Sequence, residues 1–398
     1  MDGARKESEN GSLLIDASSH FPLVDPFSQP LHFIESWNFH LLSALMFLVT
    51  SLSLFENFIV IFITVKFKQL RQPLNYVIVN LSVADFLVSL VGGTISFLTN
   101  LKGYFYMGHW ACVLEGFAVT FFGIVALWSL ALLAFERYVV ICRPLGNWHF
   151  KGKHAALGIA FVWVFSLIWT IPPTMGWSSY TPSKIGTTCE PNWYSGKYND
   201  HTFIITLFTT CFIMPLLVIL GSYGKLMRKL RKVDAQGRLG SVQKPERQVA
   251  RMVVIMILAF LICWTPYAAF SILVTSHPSI ELDPRLAAIP AFFSKTATVY
   301  NPIIYVFMNN QVLVVKNTNS YESMKKVPTW FYYVFFKLMN LTNSILTLGS
   351  KGNNCHSKGP GNSHPSIGKV DFKHWASFSF SHLFSVAGVT NLSYLRDP

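Results

Sequence analysis

Seven apolar segments dominate this chain, at about residues 39–65, 75–100, 111–142, 155–175, 202–228, 249–275 and 286–309. Each is long enough to cross a bilayer, which takes about 20 predominantly apolar residues per helix. Lipid offers no hydrogen bonds, so a backbone that crosses it must satisfy its own N–H and C=O groups, and a segment of this length does so as a helix. The predicted fold is therefore an all-α membrane protein, a seven-transmembrane helix bundle. Residues 1–38 precede the bundle, 39–309 form it, and 310–398 make a tail. The composition agrees: 52% of residues are hydrophobic and 13% charged, against about 25% charged in an ordinary soluble domain.

Basic residues set the expected orientation. Lys66, Lys68 and Arg71 lie in the first connection, Arg143, Lys151 and Lys153 in the third, and a long basic run in the fifth. The even connections hold only Lys102, then Lys184 and Lys197, then Arg285. Positive loops stay in the cytoplasm, so the N-terminus is expected outside the cell. The net charge of +13 belongs to these loops and a basic tail, and gives no reason to expect nucleic acid. Residues 1–30 have no apolar core of a secretory leader, so the first span is expected to direct insertion. Asn10-Gly-Ser12 is a glycosylation sequon on the outer segment. The six cysteines have neither zinc spacing nor the density of a disulfide scaffold, and no metal set is expected.

The spans contain a few ionisable residues, and these are the first candidates for function. Lys295 lies mid-span, where a lysine costs about 2.5–3.5 kcal/mol on insertion scales. Glu115 sits early in the third span and Asp85 in the second. Lys295 must therefore face the interior. Its position allows three readings: a structural pair with Glu115, a snorkelling amine, or an amine that forms an imine with an aldehyde. Position alone leaves these open.

The remaining polar islands narrow the choice. They are Asn57 in span one, LSVADF around Asp85 in span two, Glu136-Arg137-Tyr138 closing span three, Trp163 in span four, Cys263-Trp264-Thr265-Pro266-Tyr267 in span six and Asn301-Pro302-Ile303-Ile304-Tyr305 in span seven, together with the pair Cys112 and Cys189. In this order, across seven spans, they resemble the rhodopsin-like G-protein-coupled receptors. FFSKTATVYNPIIY, with Lys295 six residues before Asn301, resembles the retinal-attachment segment of the opsins, and Cys112-Val-Leu-Glu115-Gly resembles their counterion segment. Within opsins, SSYTPSKIGTTCEPNWYSG and HPSIELDPRLAAIPAFFSK are most similar to the non-visual vertebrate ancient group, near pinopsin.

The resemblance carries specific expectations. It implies a non-visual photoreceptor, not an enzyme, with 11-cis-retinal held covalently on Lys295 as a protonated Schiff base and Glu115 as its counterion. Trp264, Tyr267, Phe212 and Phe292, with Phe293 less firmly, would wall the pocket, and Cys112 and Cys189 would form a disulfide. Arg137, with Glu136, Glu246, Tyr223, Asn301, Tyr305 and Asp85, would make up the switch. A heterotrimeric G protein of inhibitory or transducin type would be the partner, with arrestin and a receptor kinase as further ones, at the plasma membrane.

The match runs from about residue 35 to 311. It departs from the family pattern at Ile124, Cys211 and Ser183, where other opsins carry polar or acidic groups. It ends in a tail without a cysteine at the usual lipidation place, in which the apolar run Trp330–Leu348 reads as a membrane-surface segment, or else the tail as disordered. Glu190 stands near the pocket in sequence as an alternative acid. Three rival functions share these motifs: a retinal photoisomerase using the same Lys295, a receptor for a diffusible ligand with Lys295 structural, and an isoform that does not signal.

Overall fold

The computed structural model describes residues 25–308, except 32, 143–149, 236–243, 279 and 281–282. All of these belong to one unit, Met1–Asn309. The sequon at Asn10 and the tail from residue 310 lie outside the described residues.

Seven helical rods cross this unit. The first is α1 (Ser36–Lys66), and the second is α2 (Pro73–Leu87) continued by α3 (Thr94–Lys102). The third is α4 (Gly108–Cys142) and the fourth α5 (Gly152–Thr170). The fifth joins α6 (Tyr198–Phe208) to α7 (Met214–Ala235), the sixth is α8 (Lys244–Ser276) and the seventh α9 (Pro284–Met308). Rods two and five are each interrupted by a π-helical turn, at Val88–Gly93 and Thr209–Ile213. Such turns widen the backbone locally and often lie at functional positions.

The rods outrun the apolar segments that predict them. At 1.5 Å per residue, 35-residue α4 is about 52 Å long, against a hydrocarbon layer of about 30 Å. The fourth rod is shorter than expected: Pro172 and Pro173 turn the chain into a 3-10 turn at Pro172–Thr174, because proline supplies no N–H to continue the α ladder.

Six of the rods are long and apolar enough to cross a membrane by themselves. The seventh, α9, falls short because it carries Ser294, Lys295, Thr296, Thr298 and Asn301, all buried against its neighbours. Its polarity is tolerated because it faces protein. The large apolar side chains point the other way. Leu157, Phe161, Val164 and Ile168 form an exposed stripe along α5, as do Phe55, Phe58 and Phe62 on α1. Meanwhile Asn57 on α1 donates to the Ser53 and Thr298 carbonyls at 2.9 Å each, and Ser89 donates to the Ser53 hydroxyl at 2.7 Å. Polar groups satisfied inside and apolar ones outside are what a lipid solvent requires.

Helix α4 is central and touches α2, α5, α7 and α8. It also meets a small antiparallel hairpin, β1 (Tyr180–Pro182) with β2 (Cys189–Pro191), in the register Thr181↔Glu190. Gly116 makes that approach possible, since a Cβ there would lie 2.7 Å from the Tyr180 ring. A disulfide between Cys112 and Cys189 fastens the hairpin to α4.

Candidate functional site

Glu115 and Lys295 meet under that hairpin. The Lys295 Nζ lies 3.0 Å from Glu115 Oε1, with the lysine 8% exposed and the carboxylate fully buried. Two hydroxyls bridge the pair. Thr188 accepts from Nζ at 2.7 Å and donates to Glu115 at 2.9 Å. Ser96 likewise accepts from Nζ and donates to the carboxylate. Each uses the single donor and the spare lone pairs of a hydroxyl. The other carboxylate oxygen accepts the Cys189 backbone N–H at 2.9 Å. The disulfide makes this last bond possible, because Cys112 and Glu115 share a face of α4 three residues apart and Cys189 is covalently tied to the first. A buried ion pair with all its polar atoms satisfied is the condition under which such a pair survives desolvation.

The amine end of Lys295 opens onto a cavity lined mostly by apolar and aromatic side chains, the character of small-molecule sites. Its walls include Ile124, Phe212, Trp264, Tyr267 and Ala291, and Glu190 lines it from the hairpin. Gly123 of α4 leaves room for Trp264, whose indole would lie 3.0 Å from a Cβ there. Trp264 also stacks on Phe260 and meets Tyr267 edge-on. The structure thus brings Trp264, Tyr267 and Phe212 to the cavity as the sequence leads one to expect. Phe292 lines an adjoining, smaller cavity that shares Thr188, Ala291 and Lys295 with the first and adds Leu42, Met46 and Ser96, and Phe293 packs edge-on against it. At about 100° per residue, Phe292 lies about 60° round α9 from Lys295, on the side away from Ala291 and Ser294.

A second cluster lies at the opposite end of α4. Arg137 is 6% exposed and forks onto Glu136, while its Nη1 reaches Glu246 of α8 at 2.7 Å. Tyr223 of α7 donates to the Ala250 carbonyl at 3.3 Å, which joins α7 to α8. Between the two clusters, Asn301 donates to Asp85 at 2.9 Å, and Tyr305 is buried one turn further along α9. Trp163 donates to Asn80 at 2.7 Å, and Asn80 donates to Ser129 at 2.8 Å, which joins the second, third and fourth rods.

Comparison with known proteins places this geometry. The family model described as 7 transmembrane receptor (rhodopsin family) matches residues 56–305. Opsin-VA of Rutilus rutilus is 73% identical over 288 residues, covering 72% of this chain and 75% of that protein. The vertebrate ancient opsin of Salmo salar is 70% identical over 304 residues, covering 76% of this chain and 94% of that protein. This chain belongs to the opsins. Pinopsin of Columba livia is further off, 55% identical over 256 residues, covering 64% of this chain and 73% of that protein. A crystal structure of squid rhodopsin superimposes with a TM-score of 0.68 over 75% of this chain and 90% of that one; at 24% identity it supports the fold alone.

The opsin is a multi-pass membrane receptor that couples to G proteins, and a non-visual light receptor that binds retinal, not an enzyme. The cavity fits such a group: it is walled by aromatic and aliphatic side chains and has one primary amine on its wall. Two of the site's polar residues escape a reading of the opsin's sequence, Ser96 and Thr188, while Glu190, an alternative acid by sequence, does line the cavity. Ser96 and Thr188 are small hydroxyls of a kind common in spans and loops.

Proposed function

We propose that Lys295 is the residue that holds retinal, in its 11-cis form in the dark, and that Glu115 is the counterion of its nitrogen. The observation that carries this reading is the Lys295 Nζ on the wall of an apolar cavity, 3.0 Å from Glu115. When bound, retinal supplies the absorption of light and a change of shape. The chain supplies everything else. Glu115, fixed by Ser96, Thr188 and the Cys189 N–H, holds a positive charge at the Lys295 nitrogen in a site that water does not solvate. Trp264, Tyr267 and Phe212 exclude water and shape the cavity.

The same wall is connected to the cytoplasmic side. Trp264 stands two residues before Pro266, inside α8. The missing N–H of proline makes that turn a hinge. Displacement of Trp264 bends α8 there and draws Glu246 from Arg137. Arg137, Tyr223 and Tyr305 then border the surface that a G protein of inhibitory or transducin type enters, and arrestin and a receptor kinase would follow. Light acts by favouring one state over the other, which requires contacts that differ between them. Asp85 and Asn301 lie between cavity and surface and take part in that rearrangement. The basic connections support a cytoplasmic G-protein face, an extracellular N-terminus with Asn10 glycosylated, and a place in the plasma membrane.

The test is the Lys295→Ala protein supplied with 11-cis-retinal. Wild type is expected to form a visible pigment whose adduct is fixed by borohydride on Lys295, and the variant to form none. A visible covalent pigment in the variant overturns the assignment.

A further inference from the structure

We propose that Glu190 is a second anionic residue of the retinal pocket, which sets the colour of the pigment from a point along the cavity beyond the Lys295 nitrogen. This rests on Lys295 as the attachment residue.

Thr188 immediately precedes the strand β2, Glu190 lies within it, and both line the cavity. Thr188 is bonded to Nζ at 2.7 Å. Extended chain advances about 3.3 Å per residue, so Glu190, two residues on, enters the lining up to about 6–7 Å from Thr188, at a point other than the Lys295 nitrogen. It is 5% exposed, a buried acid with no place in the Lys295–Glu115 pair.

Its hydrogen-bond partners favour the ionised form. Tyr267 lies 2.7 Å from Oε2 and Tyr194 lies 2.8 Å from Oε1. The Trp193 indole N–H can only donate, and it donates to the Tyr267 oxygen at 3.1 Å. The Tyr267 hydrogen is therefore directed at Glu190. With a phenol on each oxygen, the carboxyl is set up as an acceptor twice over, the role of the ionised form. Burial pushes this carboxyl above its usual range, while the Tyr267 and Tyr194 hydrogen bonds and the Lys295 charge oppose that rise. Lys184, its amine 5.0 Å over the Tyr194 ring, adds a further positive charge behind the phenol.

A charge at this place has a definite optical effect. A conjugated cation fixed at Nζ carries its positive charge near the nitrogen in the ground state, and excitation moves that charge away along the chain. Glu115, at the nitrogen, stabilises the ground state more. Glu190, further along, stabilises the excited state more and lengthens the absorbed wavelength.

The test is the absorption spectrum of wild type, Glu190→Gln, Glu190→Ala and Glu190→Asp, each loaded with 11-cis-retinal, with borohydride fixation on Lys295 as the control. Gln and Ala are expected to absorb at shorter wavelength than wild type, and Asp, which keeps the charge, to stay near it. Ala keeps the test open should Gln fail to fold. Fixation on Lys295 with unchanged spectra for Gln and Ala overturns the inference and leaves the attachment standing. An equal shift for Gln, Ala and Asp overturns it as well, since that is a packing effect. Absence of a Lys295 adduct in wild type overturns the attachment reading and the inference together.

Discussion

At Glu115 the chemistry of the site depends on one charge. The carboxylate is fully buried and bonded to Ser96, Thr188, the Cys189 N–H and Lys295. Removing one partner of a buried pair costs about 3–5 kcal/mol, because the other charge is left without compensation. Glu115→Gln is therefore expected to lose the proton at the Lys295 nitrogen at neutral pH. Its pigment should absorb in the ultraviolet and regain visible absorption in acid or with added halide, which replaces the missing anion. A spectrum recorded across pH with and without halide checks this. A visible pigment that does not change through neutral pH would transfer the role to Glu190. The polar bridges explain why both charges are tolerated where a lone lysine is costly: no atom of the pair faces lipid.

At the scale of elements, the contact of interest is between α4 and α8. Arg137 is buried and held by Glu136 in its own helix, whereas Glu246 across the gap has a side chain 47% exposed. Solvent screens the second bond, and pairs of this kind are worth about 1 kcal/mol or less. Glu246→Gln is thus expected to raise nucleotide exchange in the dark by at most about fivefold, with the illuminated rate little changed. A dark exchange assay at matched pigment content measures it, and a dark rate equal to wild type would show that the bond does not hold the off state. The hinge in the same helix and the wall it moves are both visible in sequence, as Pro266 and Trp264, but the room that Trp264 needs is not: Gly123 on α4 provides it.

At the scale of the whole molecule, the proposed G-protein surface is built from Arg137, Tyr223 and Tyr305, all upstream of the tail. Truncation after Gln311 is therefore expected to weaken light-driven exchange a few-fold without abolishing it, the loss reflecting the membrane contact proposed for Trp330–Leu348. Exchange assays on full-length and truncated pigments test this; loss of all activity on truncation would place a necessary contact in the tail. The sequence by itself determined the seven rods and the interior placement of Lys295 and Glu115. These follow from local physics, namely apolar length against bilayer thickness and the cost of charge in lipid. The tertiary structure alone decided which residues surround the pair. Ser96, Glu115, Thr188 and Lys295 come from four separate stretches of chain, and a small hydroxyl carries no sign in the sequence of which charge it will bridge. It also decided that Phe292 turns from the main cavity while Glu190 faces it. Those outcomes depend on the rotation of α9 and on a hairpin held to α4 by one disulfide, and a rotation of 60° is fixed only when neighbouring helices pack.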